Sequence, residues 1–265
     1  MTRVLITGAS SGIGRATAIE LAERGHEVIA TARDVTAIED LPTTERLALD
    51  VTHERSITDA VVAAGRVDAI VNNAAVGLSG PTETVPLVDV QTLFDVNVFG
   101  PVRLIQAFLP AMRARGAGTI VNVSSIAGRV AGPLTGFYSA TKRALEAVSE
   151  GLHFEVGHFG IRVVVIEPGL VATGFHTRTH HHGDDIGPYD ELRESWSTAE
   201  ARIVPGMSAL PPAVVARAIA GAIEDDHTPF RVLLGVDAQL IAAARRSLDD
   251  ASFEQDLRTD LRVDW

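Results

Sequence analysis

Apolar residues fall into short, nearly unbroken runs, separated by longer stretches in which they recur every three or four positions. Val4-Leu5-Ile6, Val28-Ile29-Ala30, Leu47-Ala48-Leu49 and Ala69-Ile70-Val71 read as four strands. Thr119 to Val123, Ile161 to Ile166 and Val232 to Leu234 read as three more. A run that is apolar at almost every position is buried on both faces, as in a parallel sheet covered by helices. Amphipathic segments lie between these runs, over Gly14–Arg24, Glu54–Ala64, Leu87–Ala114, Phe137–Phe159 and Pro212–Glu224. The alternation predicts an α/β fold with a doubly wound parallel sheet and helices on both faces.

No repeat, low-complexity tract or charged linker divides the chain, so residues 1–246 read as one domain. Residues 174–210 interrupt the pattern. They are rich in His, Gly, Pro and Asp, and too long for an ordinary connection. Following the carboxyl end of a strand, they are expected to form a lid over a ligand crevice. Residues 247–265 are polar and read as a C-terminal tail.

Composition narrows the classes of function. A chain of 265 residues, 46% apolar but only 5% aromatic, suits one aliphatic core. The net charge of −11 argues against nucleic acid, because phosphate backbones need a basic face. The absence of cysteine removes disulfides, thiolate metal sites and cysteine nucleophiles. Met1-Thr2-Arg3 runs straight into a strand pattern without a signal-peptide core. No apolar stretch reaches the roughly 20 residues that span a bilayer. A soluble cytoplasmic protein that binds neither membrane nor nucleic acid is therefore expected.

Between the first strand and the first helix lies Thr7-Gly8-Ala9-Ser10-Ser11-Gly12-Ile13-Gly14. Gly8 allows a tight turn, Gly12 lets backbone approach a pyrophosphate, and Gly14 lets helix pack closely on strand. The helix N-terminus then offers free N–H groups to the anion. The spacing is G-x-x-x-G-x-G rather than G-x-G-x-x-G, and a purely structural turn is the alternative. If the ligand is a nicotinamide dinucleotide, the end of the second strand distinguishes its two forms. An acid there would bind the ribose hydroxyls of NAD, but Ala32 holds that position and Arg33 follows. Arg33 suits a 2′-phosphate. Asp34 is the competing clue, unless it caps the next turn. NADP(H) is expected, with NAD(H) as the alternative.

Tyr138 and Lys142 are four residues apart on a predicted helix, hence on one face. An ammonium beside a phenol favours phenolate and so lowers the phenol pKa. Ser125 ends the fifth of the predicted strands, where its hydroxyl can meet a substrate oxygen. The pair alone also fits a surface tyrosine beside a solvated lysine.

Together with Thr7–Gly14, Asn72-Asn73-Ala74-Ala75, Asn97 and Pro168-Gly169-Leu170-Val171-Ala172-Thr173, these residues resemble the short-chain dehydrogenase/reductases. Motif order and spacing match over residues 3–175, with Ala75 standing where the family often has glycine. The segments 136–146 and 160–169 are most similar to the hydroxysteroid and retinol dehydrogenase-like branch.

The resemblance implies a Rossmann-type sheet of about seven strands and an oxidoreductase that interconverts a carbonyl and an alcohol on a small or apolar substrate. It implies Tyr138 as proton donor and acceptor, and Lys142 as the group that binds the nicotinamide ribose and lowers the pKa of Tyr138. Ser125, rather than Ser124, would orient the substrate oxygen, by the family's thirteen-residue spacing to the tyrosine. Asn97 would hold a water that links Lys142 to solvent. Gly8, Ser10, Ser11, Gly12, Ile13 and Gly14 would cradle the cofactor phosphates, and Asp50 and Val51 would touch adenine. Asn73 would lie near the adenine ribose, with Ala74 and Ala75 also contacting the cofactor, while Pro168, Gly169, Val171 and Thr173 would seat the nicotinamide. It also implies a homodimer or homotetramer assembled through the two long helices.

Pro101 adds a local argument for Asn97, because proline brings no N–H to the carbonyl four positions back. That carbonyl is free to bind a water; a kink that serves packing alone is the alternative. Ile126, Ala127, Val130, Leu134, Phe137 and Leu170 are candidates for the substrate wall. A stripe of Phe137, Ala140, Ala144, Val148, Leu152 and Phe159 fits either core or a subunit contact. His176, His180, His181 and His182 could bind zinc or nickel adventitiously. They read instead as a polar lid loop, and no metal is expected. Two further readings stay open: a polyketide or acyl-chain ketoreductase, and a non-catalytic NADP-binding regulator.

Overall fold

Every predicted strand forms, and all seven join one parallel sheet. A computed structural model of the chain describes residues 1–182, 187–203 and 209–262. In chain order its strands are β1 (Arg3–Ile6), β2 (Glu27–Ala32), β3 (Glu45–Ala48), β4 (Ala69–Asn72), β5 (Leu78–Ser79), β6 (Gly118–Val123), β7 (Ile161–Pro168), β8 (His180–His181) and β9 (Arg231–Leu234). The helices are α1 (Gly12–Glu23), α2 (Glu54–Ala64), α3 (Leu87–Phe94), α4 (Gly100–Arg115), α5 (Gly136–Val156), α6 (Phe175–Arg178), α7 (Asp190–Ile203), α8 (Pro212–Glu224), α9 (Val236–Ser247) and α10 (Asp250–Leu261).

The large sheet runs β3-β2-β1-β4-β6-β7-β9, all parallel. Chain direction across it reverses between β1 and β4, and a crevice opens beyond the carboxyl ends of the strands at such a switch point. Alternate strand residues serve opposite faces. Val4, Ile6, Val28, Val71 and Val121 pack with α1 and α8, whereas Leu5, Ile29, Ile70 and Ile120 pack with α2, α4 and α5. Each fully buried side chain of this size contributes about 1.5–3 kcal/mol. A buried polar ladder also ties α5 to the sheet: Asn72 Nδ2 donates to Asn122 Oδ1 at 2.7 Å, and Asn122 Nδ2 to Ser149 Oγ at 2.8 Å.

The predicted helix Leu87–Ala114 is interrupted by a π-turn over Asp95–Phe99, with the Gly100 amide donating five residues back to the Asp95 carbonyl. Asn97 sits within that turn, just before Pro101, and such turns widen a helix locally.

The interruption at 174–210 contains α6, β8 and α7 among its described residues. Its residues 183–186 and 204–208, and the side chain of His176, lie outside the described residues. β8 pairs in parallel with β5 to make a second, two-stranded sheet. Residues 247–262, read as a tail, include α10, which packs against α7; residues 263–265 lie outside the described residues. No helix among the described residues is long and apolar enough to cross a membrane.

One expectation about α5 needs correction. Phe137 packs with Leu78, Val85, Val90 and Leu93 beneath the lid and does not line the crevice. One residue along a helix turns about 100°, so Phe137 and Tyr138 face different neighbours. The stripe read as core or subunit contact divides: Leu152 is buried in the core, whereas Ala140, Val148 and Phe159 face outward.

Candidate active site

The glycine turn owes its shape to two close approaches. Gly8 has φ +68°, and a Cβ there would lie 2.9 Å from Ala74 Cα. A Cβ on Gly14 would lie 2.4 Å from both the Gly8 carbonyl oxygen and Asn73 Nδ2. Asn73 holds the turn in place, its Nδ2 donating to the carbonyls of Thr7 at 2.9 Å and Gly8 at 3.2 Å. Thr7 Oγ1 accepts from the amides of Asn73 and Ala74, both at 3.0 Å. At the start of α1, Ser11 makes no side-chain cap and no acid stands in the first turn. The N–H groups there are thus left to a ligand.

These residues open onto a crevice of 1910 Å³. Every predicted cofactor residue lines it except Gly14, which lies behind the turn. Ser125, Tyr138 and Lys142 line it as well, whereas Asn97 sits behind them. Arg33 is exposed at the crevice, with no ion pair among the described residues. Asp34 caps the 3-10 turn Val35–Ile38, accepting from the Thr36 amide at 3.0 Å and the Thr36 hydroxyl at 2.7 Å.

Lys142 is almost wholly buried, and its Nζ donates to the Val123 carbonyl at 3.0 Å. Burial pushes its pKa down to about 8, against the pull of the Glu146 carboxylate. Its Nζ stands 5.8 Å from the centroid of the Tyr138 ring. Burial pushes the Tyr138 phenol well above its usual range, and the hydrogen bond from Ser125 offsets only part of that rise. Ser125 caps the short turn Ile126–Gly128 through the Ala127 amide, at 3.1 Å. Ser124 instead turns its hydroxyl to Glu146 Oε1, at 2.8 Å. Asn97 commits its side chain to the backbone of Val76, giving and receiving hydrogen bonds of 2.9 Å, and also donates to Thr141 Oγ1 at 3.2 Å.

Behind Ser125, Tyr138 and Lys142 lies a charged cluster. Glu167 is fully buried on β7 and accepts from Arg129 Nε at 2.8 Å. Arg231 Nε donates to Glu146 at 3.1 Å. Burial pushes Glu167 up to about 7; Arg129 opposes this and the carboxylate of Glu146 adds to it.

Other site residues carry no local signature in the sequence. Asp237, at the start of α9, accepts from the Leu170 amide at 2.6 Å and so holds the loop 168–173. Trp196, Leu240, Phe253 and Leu257 give the crevice an apolar outer wall. Phe175 packs against Tyr138 with its ring tilted and the centroids 5.6 Å apart. Leu134, at φ +59°, lines the same wall with Ile126, Ala127, Val130 and Leu170.

Known proteins share this arrangement. The family model for short chain dehydrogenase matches residues 2–183. The 3-ketodihydrosphingosine reductase of Bacteroides thetaiotaomicron is 35% identical over 261 residues, with 96% of each chain covered. Human retinol dehydrogenase 8 is 34% identical over 86% of this chain and 79% of its own. The crystal structure of a short chain dehydrogenase from Burkholderia cenocepacia in complex with NADP superposes with a TM-score of 0.78. It is 26% identical and covers 99% of this chain and 98% of that one. With the glycine turn, the Ser125–Tyr138–Lys142 set and the seven-stranded sheet in one molecule, the chain belongs to the short-chain dehydrogenase family of oxidoreductases.

Proposed function

We propose that the protein is an NADP(H)-dependent oxidoreductase that interconverts an apolar ketone and its secondary alcohol, with Tyr138 as acid and base. The observation that carries this reading is the convergence of Ser125, Tyr138 and Lys142 on the crevice that the glycine turn also lines. The crevice fits a dinucleotide: the first turn of α1 is uncapped, and Arg33 is exposed while Asp34 is engaged in its own turn. Arg33 would hold the 2′-phosphate, and the NADP in the Burkholderia relative supports that preference.

When bound, the nicotinamide supplies or takes the hydride. The chain's own residues handle the proton. Ser125 orients the substrate oxygen with its hydroxyl. Tyr138, whose phenol burial keeps protonated at neutral pH, gives its proton to the carbonyl oxygen during reduction. Lys142 brings a positive charge that favours phenolate after transfer and holds the nicotinamide ribose. Asn97, its side chain committed to Val76, offers its backbone carbonyl to a water that returns the proton through Lys142.

The apolar wall of Trp196, Leu240, Phe253 and Leu257 favours a lipid-like ketone, with Arg193, Asp256 and Asp260 at the same wall for a polar end of the substrate. The name of the Bacteroides relative favours the reductive direction and an acyl-chain ketone in particular. Exposed Phe99 in the turn between α3 and α4, Val148 and Phe154 on α5, and Phe159 just after it would serve self-association. A cytoplasmic location belongs to the same proposal.

The test is oxidation of NADPH and NADH against a panel of ketones that includes long-chain 3-keto compounds. NADPH should be preferred and apolar ketones turned over, and Tyr138→Phe should bind cofactor yet lose turnover. Preference for NADH would remove the role given to Arg33, and turnover by Tyr138→Phe would remove that of Tyr138.

A further inference from the structure

His180 and His182 lie two positions apart along β8 and its continuation, so both imidazoles leave the chain on one side. Pairing with β5 holds them there: the His180 amide donates to the Gly77 carbonyl at 3.0 Å and the His182 amide to the Ser79 carbonyl at 2.8 Å. The two rings meet edge to face, with centroids 4.6 Å apart. Asp89, in the first turn of α3, brings a carboxylate to the same point, its Oδ2 2.8 Å from His182 Nε2. One ligand-capable atom from each of the three residues lies within 4.8 Å of the other two. His182 Nε2 is buried and makes no hydrogen bond, although the carboxylate is so near. The two groups form a close pair without hydrogen-bond alignment, and a cation bound between them would widen it to the spacing of tetrahedral ligands.

We propose that Asp89, His180 and His182 form a divalent-metal site, with Zn²⁺ as the preferred ion, that clamps β8 to α3 at the rim of the crevice. Two imidazoles and one carboxylate suit Zn²⁺ and leave a fourth position to water, whereas Mg²⁺ and Ca²⁺ favour oxygen ligands. Tetrahedral ligation with bonds of about 2.1 Å sets ligands about 3.4 Å apart. His180 is exposed, so its ring is free to turn inward over that difference, and the ion has a path in from solvent. The two-residue ladder between β5 and β8 holds the lid strand by few contacts, so an ion bound only to the closed arrangement adds its binding energy to closure. His181 leaves the strand on the opposite side, and both it and His182 line the crevice. Ordering β8 therefore orders a piece of the substrate wall. The site takes no part in proton or hydride transfer, and the proposal stands apart from the assignment of Tyr138.

The test uses the full chain without an affinity tag, stripped by chelator and titrated with ZnCl₂ by calorimetry and with Co²⁺ by visible absorption. One equivalent of either ion should bind, MgCl₂ should not, and Co²⁺ should show the bands of a four- or five-coordinate site. His180→Ala, His182→Ala and Asp89→Asn should each weaken Zn²⁺ at least about 10–100-fold, the range lost with outer-shell partners alone. His181→Ala should bind as the parent does. Zn²⁺ should also slow hydrogen exchange at the amides of His180 and His182. Absence of saturable binding, or affinity unchanged in His180→Ala and Asp89→Asn, would overturn the site. Binding without slower exchange at those amides would overturn the clamp. His180 is exposed, so its variant keeps the test decisive even if His182→Ala disturbs the lid.

Discussion

Arg178 Nη2, on the four-residue helix α6, donates to Ser11 Oγ at 3.1 Å and joins the lid to the glycine turn. Arg178 thus places a second cation, besides Arg33, where phosphates would bind. A guanidinium held over uncapped N–H groups favours an anion through charge-assisted hydrogen bonds. Arg178→Ala should raise the Kd of NADPH and NADH alike by about tenfold, the equivalent of one such bond. Fluorescence titration of the reduced cofactor reads this directly, and equal affinities in parent and variant would show that Arg178 serves the lid alone.

In the proposed function, Arg33 would act on only one form of the cofactor. Asp34 is engaged with Thr36, while the Arg33 guanidinium is exposed at the crevice for a 2′-phosphate. Arg33→Ala should raise KM for NADPH about 10–100-fold, from the loss of about 1.5–3 kcal/mol, and leave KM for NADH nearly unchanged. Parallel losses for both cofactors would point to a role in folding the turn.

Burial sets the pH range of the proton relay. Lys142 is charged below its pKa of about 8 and neutral above it, while Tyr138 keeps its proton throughout the neutral range. Ketone reduction should hold level from pH 6 to near neutrality and decline as pH rises past about 8. Lys142→Arg, which retains its charge at high pH, should lose that alkaline limb even if its rate is lower overall. A limb that persists in the variant belongs to another group.

Glu167 links stability to pH with a definite sign. Its folded pKa of about 7 lies above the ordinary 4.5, so the folded chain keeps a proton that the unfolded chain releases between those values. Its contribution to stability is complete below about pH 4.5 and is lost as pH rises through about 7. Glu167→Gln should flatten this part of the pH–stability profile, measured by urea unfolding at pH 5, 6 and 7. An equally steep fall in the variant would remove the slope from Glu167.

Much of the site was legible because its chemistry is local in sequence. The four-residue spacing of Tyr138 and Lys142 follows helical pitch, and the glycines of 8–14 mark a turn that only small residues permit. Gly174–Leu210 was legible as an interruption but not as a structure. Its β8 exists only because β5, about a hundred residues earlier, supplies the pairing partner. Asp237 and Leu170 are no easier to find, since neither spacing nor composition links a helix start to a loop across 67 positions.

The sequence by itself determined the seven strands, the burial of all but the edge strands β3 and β9 on both faces, and the residues proposed to move a proton. These follow from periodicities of two and 3.6 residues, which the backbone imposes within a few positions. Tertiary structure decided the rest: the reversal between β1 and β4, the turning of Phe137 under the lid, the burial that raises Tyr138 and lowers Lys142, and the meeting of Asp89 with His180 and His182. Such features depend on distances between segments far apart in the chain, and only packing of the whole sheet sets those distances.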